Sequence, residues 1–187
     1  SRRKMQENGS LPWVFHDYWL RDMEAAMGER AHVALTSAGH EKSRYAFFPG
    51  CQLGASDPDY VTESYRYLLS KQADTALWLS CCGAPAVWSG DMGLQEEAFE
   101  RLRKDWESMG KPTTIFACPT CKQMFDKYLS DVKGLFLYDL VDQSGFVPKK
   151  NMSGKKYSVF DPCSSRQEPD LQQVVRTLSK QAGATLE

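Results

Sequence analysis

Long apolar runs are missing from this chain. No stretch approaches the roughly 20 residues that a membrane-crossing helix needs, and no secretory signal is visible. Charge of one sign is not concentrated either. Basic and acidic residues nearly cancel, to −1, and no Lys/Arg run exceeds three residues. That leaves no electrostatic footprint for nucleic acid or for an anionic membrane surface. Histidine is scarce. His16, His32 and His40 all precede the cysteines and read as surface or packing residues. Six cysteines in 187 residues are too few for a disulfide scaffold, and their clustering suits a reducing compartment. These absences describe a soluble cytoplasmic protein with one well-packed domain, or one domain and an appendage.

What is present is a cysteine pattern. Cys51, the pair Cys81-Cys82 followed by Gly83, then Cys118 and Cys121 span 71 residues. Each group follows a short apolar run: Tyr45-Ala-Phe-Phe, Thr75-Ala-Leu-Trp-Leu and Thr113-Thr-Ile-Phe-Ala. If these are strands alternating with helices, their C-terminal ends share one edge of a parallel sheet, where ligands of such folds sit. Five thiols then converge, and soft thiolates gathered this way are ligands for iron–sulfur clusters, zinc or copper.

The organisation supports that placement. Residues 1–44 read as a polar, frayed start, a helix from Leu11 to about Met27, and a linker over 29–44. Phe15, Trp19, Met23 and Met27 recur every four residues and form a stripe that packs on the main domain or docks a partner. Residues 45–150 form the cysteine-rich module, an α/β unit with a parallel sheet and βαβ crossovers. Asp57-Pro58 starts a helix to about Gln72. Another helix runs from about Gly93 to Met109, and Cys118-Pro119 opens one to about Leu129. Leu135-Phe-Leu-Tyr and Tyr157-Ser-Val-Phe are further strand candidates. The charges of helix 93–109 and the pairs Lys149-Lys150 and Lys155-Lys156 need no partner. Trp78 and Trp88 flank the cysteine pair and either pack in the core or shield the site.

An internal repeat marks a third region, 151–187. Leu69-Ser-Lys-Gln-Ala73 recurs as Leu178-Ser-Lys-Gln-Ala182, and Tyr45-Ala-Phe-Phe-Pro-Gly-Cys51 is echoed by Tyr157-Ser-Val-Phe-Asp-Pro-Cys163. A second module begins here on this reading. At the 109-residue offset its cysteine pair would start at 190, past Glu187, and the closing Leu186-Glu187 reads as a cloning scar.

The spacing dictates local chemistry. Neighbouring strand residues face opposite ways, so Cys81 and Cys82 serve one site only where the strand breaks. Gly83 permits the break and Pro85 discourages a return to the sheet. Cys118 stands at an N-cap, where the helix terminus lowers the pKa of its thiol and that of Cys121. Gly50 and Gly54 let backbone approach a bulky group. Zinc in a closed tetrahedral shell remains an alternative tenant. So does a thiol–disulfide oxidoreductase, because strand–CxxC–helix is also the thioredoxin device; that device leaves Cys51, Cys81 and Cys82 unexplained.

Phe48-Pro49-Gly50-Cys51, Ser80-Cys81-Cys82-Gly83 and Ala117-Cys118-Pro119-Thr120-Cys121 resemble the cysteine-rich CCG domain, which occurs in the B subunit of heterodisulfide reductase and in glycolate oxidase iron–sulfur subunits. The gaps of 29 residues between Cys51 and Cys81 and 35 between Cys82 and Cys118 are similar to that signature. The resemblance implies an iron–sulfur cluster of non-cubane 4Fe–4S type, with Cys51, Cys81, Cys82, Cys118 and Cys121 as ligands. It implies a tandem second module, of which Cys163 is the lone remnant here, and a separate iron–sulfur or flavin subunit as electron donor. It implies an oxidoreductase component for electron transfer or disulfide reduction in a larger complex, with this fragment alone not fully active. No catalytic residue and no substrate is indicated.

Overall fold

Apolar strands alternate with proline- or aspartate-started helices in the computed structural model, which describes residues 2–12, 14–148 and 152–187. The side chain of Phe15 and the pair Lys149-Lys150 lie outside the described residues. The chain divides into two units, one ending at Gly134 and one running Leu135–Glu187.

The first unit opens with α1 (Arg2–Glu7), α2 (Val14–Met27), β1 (Val33–Leu35) and β2 (Tyr45–Phe48). It continues with α3 (Cys51–Ser56), α4 (Pro58–Lys71), β3 (Thr75–Leu79), α5 (Ala84–Ser89) and α6 (Met92–Ser108). Then come β4 (Thr113–Phe116) and α7 (Pro119–Tyr128), and β5 (Gly134–Phe136) starts at the boundary residue. The sheet order is β1-β3-β2-β4-β5. The central β2 runs parallel to both β3 and β4, with Phe47 opposite Leu77 and Ile115. The fold is therefore mixed α/β with a mostly parallel sheet, and the three strands that precede the cysteines point the same way.

Two parts of the N-terminal region differ from the sequence expectation. The polar start contains α1, and the presumed linker contains β1, which pairs antiparallel with β3. Three residues are too few to show an alternating pattern; the neighbouring strand supplies the hydrogen bonds that hold β1. The turn after β1 is pinned because Ser37 Oγ donates to Asp74 Oδ1 at 3.0 Å and the Arg44 amide to Asp74 Oδ2 at 3.1 Å. In the α2 stripe Met23 and Met27 are buried, whereas Trp19 is 40% exposed beside Trp88.

Alternation along β2 sends Phe47 and Phe48 to opposite faces. Phe47 stacks on Tyr65 of α4, whose hydroxyl donates to the Thr75 carbonyl at 2.9 Å. On the other face Phe48, Trp78, Phe116 and Phe125 form a fully buried cluster with ring centroids 4.9–5.8 Å apart. Trp78 is thus core. Its Nε1 donates to Asp105 Oδ2 of α6 at 3.2 Å, and His32 Nε2 lies 2.7 Å from the same oxygen. Asp57 and Asp91 cap α4 and α6 by accepting from the Asp59 and Leu94 amides.

The second unit holds α8 (Leu137–Gln143), β6 (Lys156–Tyr157), a single 3-10 turn at Cys163–Ser165, α9 (Pro169–Gln181) and β7 (Thr185–Leu186). The two expected strands are shorter than their apolar runs: Leu137 and Tyr138 belong to α8, and β6 stops at Tyr157. β6 and β7 pair in parallel. Strand, cysteine turn, proline-started helix and parallel strand follow one another here in the order that β2, Cys51, α4 and β3 take in the first unit. No helix among the described residues is long and apolar enough to cross a membrane.

Candidate functional site

Beyond the ends of β2, β3 and β4 the chain makes three tight turns, each leading into a helix. Pro49 and Gly50 end β2, and Cys51 begins α3. Past Leu79 come Ser80, Cys81 and Cys82. There Gly83, at φ 77° and ψ 1°, turns left-handed and starts α5 with Pro85 in its first turn. Cys118 occupies the N-cap of α7 with extended backbone, followed by Pro119. The expected break after the vicinal pair and the expected cap at Cys118 are both present.

All five predicted thiols come together as free cysteines. Each thiol senses its neighbours electrostatically in a row: Cys51 with Cys81, Cys81 with Cys82, Cys82 with Cys121 and Cys121 with Cys118. Cys81, Cys82 and Cys121 are buried, while Cys51 and Cys118 are half-buried. Among the described residues no three Cys, His, Asp or Glu side chains are already set as a shell around a single metal ion. Cys163, in the second unit, is exposed.

Hydrogen-bond direction sets the charge of the row. The Cys118 thiol falls to about 6 because its interaction with Cys121, helped by the nearby Cys121 and Thr120 amides, outweighs burial. Cys82 falls to about 5, since Cys121 and Cys81 both donate to it and the Ala84 amide adds a third bond. The bond from Cys51 pulls Cys81 down, but donation to Cys82 and burial push it up to about 12. Cys51 is raised by donating to Cys81 and by burial. Cys121 also moves up, against the sequence expectation, because it donates to both Cys118 and Cys82. Its place in the first turn of α7 is overridden by its role as a proton donor. Cys82 and Cys118 are thus the more acidic thiols of the row and Cys51, Cys81 and Cys121 the less acidic, and a metal held by all five must displace protons.

A measurable consequence is selective alkylation of metal-free protein. The thiolate is the nucleophile, and a lowered pKa keeps it present at lower pH. Iodoacetamide should therefore label Cys118 at neutral pH, with the rate falling as pH drops through about 6. Cys51, equally half-exposed, should stay unlabelled until strongly alkaline pH. Peptide mapping that finds Cys51 modified first would refute this assignment.

The surroundings fit a thiolate-held group larger than a thiol pair. Gly50 lies at φ 79° and ψ 159°, and a Cβ there would stand 2.9 Å from Cys121 Sγ and 3.5 Å from Cys118 Cβ. Backbone and thiols thus meet at van der Waals limits, as a close cradle needs. Gly54 plays no such part: a Cβ there would meet only Val61 Cγ2, at 3.5 Å. A cavity of about 310 Å³ opens beside Cys51, lined by Gly50, Ser80, Leu79, Val61 and Ala26 among others. Ser80 is a site residue that cysteine spacing does not reveal. It is 4% exposed, and its Oγ has no hydrogen-bond partner. Leaving a buried hydroxyl unsatisfied costs about 1–3 kcal/mol. Its only sequence signal is its place directly before Cys81.

A mostly parallel α/β sheet with five thiols gathered past its strand ends defines a cysteine-rich module. Residues 45–126 match the family model described as CCG, cysteine-rich domain. The chain is also 30% identical over 131 residues to the B subunit of the fumarate reductase (CoM/CoB) of Methanothermobacter marburgensis, covering 65% of this chain and 26% of that relative. It thus spans about a quarter of that relative's length. No solved structure matches the chain.

Proposed function

We propose that Cys51, Cys81, Cys82, Cys118 and Cys121 hold an iron–sulfur cluster, and that the module works in electron transfer or disulfide reduction as one part of a larger reductase. The observation that carries this reading is the unbroken row of five free thiols against Gly50. Five soft donors exceed what a closed zinc shell or a two-cysteine redox device uses. The kinship with a reductase component supports the redox role. A non-cubane 4Fe–4S type agrees with the use of all five cysteines.

When bound, such a cluster supplies one-electron chemistry. The chain's own residues provide its setting. Cys81, Cys82 and Cys121 are buried, which keeps water from their side of the site. The Gly83, Ala84, Thr120 and Cys121 amides, which pull down the pKa values of Cys81, Cys82 and Cys118, favour negative charge on sulfur. The cavity beside Cys51 leaves that side open to approach. The remaining machinery lies in partners: an electron-donor subunit with iron–sulfur or flavin, and a second CCG module that begins at residue 151. The setting is cytoplasmic, and the segment alone is not fully active.

Anaerobic purification followed by iron and sulfide analysis and visible absorption tests the reading. A brown protein with iron and sulfide is expected. Stoichiometric zinc without iron overturns the proposal. Replacing any one of the five cysteines by Ala should cut bound iron several-fold, whereas Cys163→Ala should leave it unchanged. Equal loss from Cys163→Ala would move the ligand set away from these residues.

A further inference from the structure

We infer that the Ser80 hydroxyl donates a hydrogen bond to the group held by the five cysteines and raises its reduction potential. This rests on the iron–sulfur reading above. Elsewhere the chain satisfies its buried serines: Ser89 Oγ donates to the Ala86 carbonyl at 2.9 Å and Ser165 Oγ to the Pro162 carbonyl at 3.0 Å. Ser80 Oγ alone among the buried serine hydroxyls of the described residues lacks a partner. The other orphan hydroxyl, Thr114 Oγ1, belongs to β4. Ser80 instead stands at the end of β3, covalently next to Cys81, and lines the same cavity as Gly50 and Cys51.

A sulfur held by a metal is an anionic acceptor. A neighbouring hydroxyl without a partner then has a place for its proton. Such a bond strengthens as negative charge builds on sulfur, so it favours the reduced state and raises the potential. Ser80 touches no substrate in this scheme. It is a positioning residue that acts through the cluster sulfurs.

The test compares anaerobically reconstituted wild type with Ser80→Ala, Ser80→Gly and Ser80→Thr. Iron per chain establishes loading. Redox titration followed by paramagnetic resonance gives the potential, and proton couplings that exchange in D₂O report hydrogen bonds to the cluster. Ser80→Ala and Ser80→Gly, loaded with as much iron as wild type, should shift to lower potential and lose one exchangeable coupling. Ser80→Thr, which keeps the hydroxyl, should retain both. Iron-loaded Ala and Gly variants with wild-type potential and couplings would overturn the inference while leaving the cluster in place. Zinc without iron in the wild type would remove the cluster reading and this inference together.

Discussion

Gly50→Ala is expected to abolish iron loading while the sheet stays folded. At φ 79° and ψ 159° the backbone of Gly50 occupies a region essentially closed to other residues. Holding alanine there costs about 1–3 kcal/mol. The added methyl also has no room, since it would sit 2.9 Å from Cys121 Sγ and 3.5 Å from Cys118 Cβ. Relief requires the Cys121 side chain to rotate away, or the CxxC turn or the β2–α3 turn to move. Each change displaces a proposed ligand. Gly54→Ala supplies the control. Gly54 lies inside α3, and its new methyl would make an ordinary contact with Val61 Cγ2 at 3.5 Å. Removing a helix-interior glycine should stabilise by roughly 0.5–1 kcal/mol, with iron per chain unchanged. Urea unfolding and iron analysis on both variants check the pair. Full iron loading of Gly50→Ala would show that the close approach at Gly50 is not needed.

That contrast shows which parts of the site could be read from the chain and which could not. Cysteine spacing located all five thiols because covalent order is preserved by any βα alternation. It could not rank Gly50 above Gly54, since only the packed structure shows which glycine faces sulfur. Nor could it assign protons. Cys118 and Cys121 share one helix start, yet one thiol goes down and the other up, because the row needs Cys121 as a donor.

The fold divides the same way. β2, β3 and β4 were legible as continuous apolar runs ended by Pro49-Gly50, by the Cys81-Cys82-Gly83 break and by Cys118-Pro119, as expected of strands covered on both faces. α3 and α5 were not, since each is only six residues long and begins inside or just after a cysteine motif. The repeated residues hold comparable places in the two units. Leu69–Ala73 covers the end of α4 before β3, and Leu178–Ala182 the end of α9 before β7. In both places the following strand pairs in parallel with the one before the helix. The shared residues thus mark the same step of a βαβ unit.

Phe48→Ala is the other substitution with a large expected effect, and it acts on the site from beneath. The Phe48 ring lies 5.1 Å from Trp78, 5.8 Å from Phe116 and 5.1 Å from Phe125. These partners precede the vicinal pair, precede Cys118 and follow Cys121 respectively, while Phe48 itself precedes Cys51 by three residues. One buried side chain therefore braces every turn that carries a thiol. Truncation should cost about 3–5 kcal/mol, because neighbours held by two strands and a helix cannot collapse into the space left. It should also lower iron content in the fraction that remains folded. Phe47→Ala separates the two effects. Phe47 is equally buried but faces the other side, against Tyr65 of α4. Its loss should reduce stability by a similar amount, yet preserve iron in folded protein, since it does not touch the aromatic cluster beneath the thiols. Thermal unfolding and iron analysis at a temperature where both variants are folded distinguish them. If Phe47→Ala and Phe48→Ala lose iron in equal proportion, the cluster face of the sheet has no special hold on the cysteine turns, and loading simply tracks global stability.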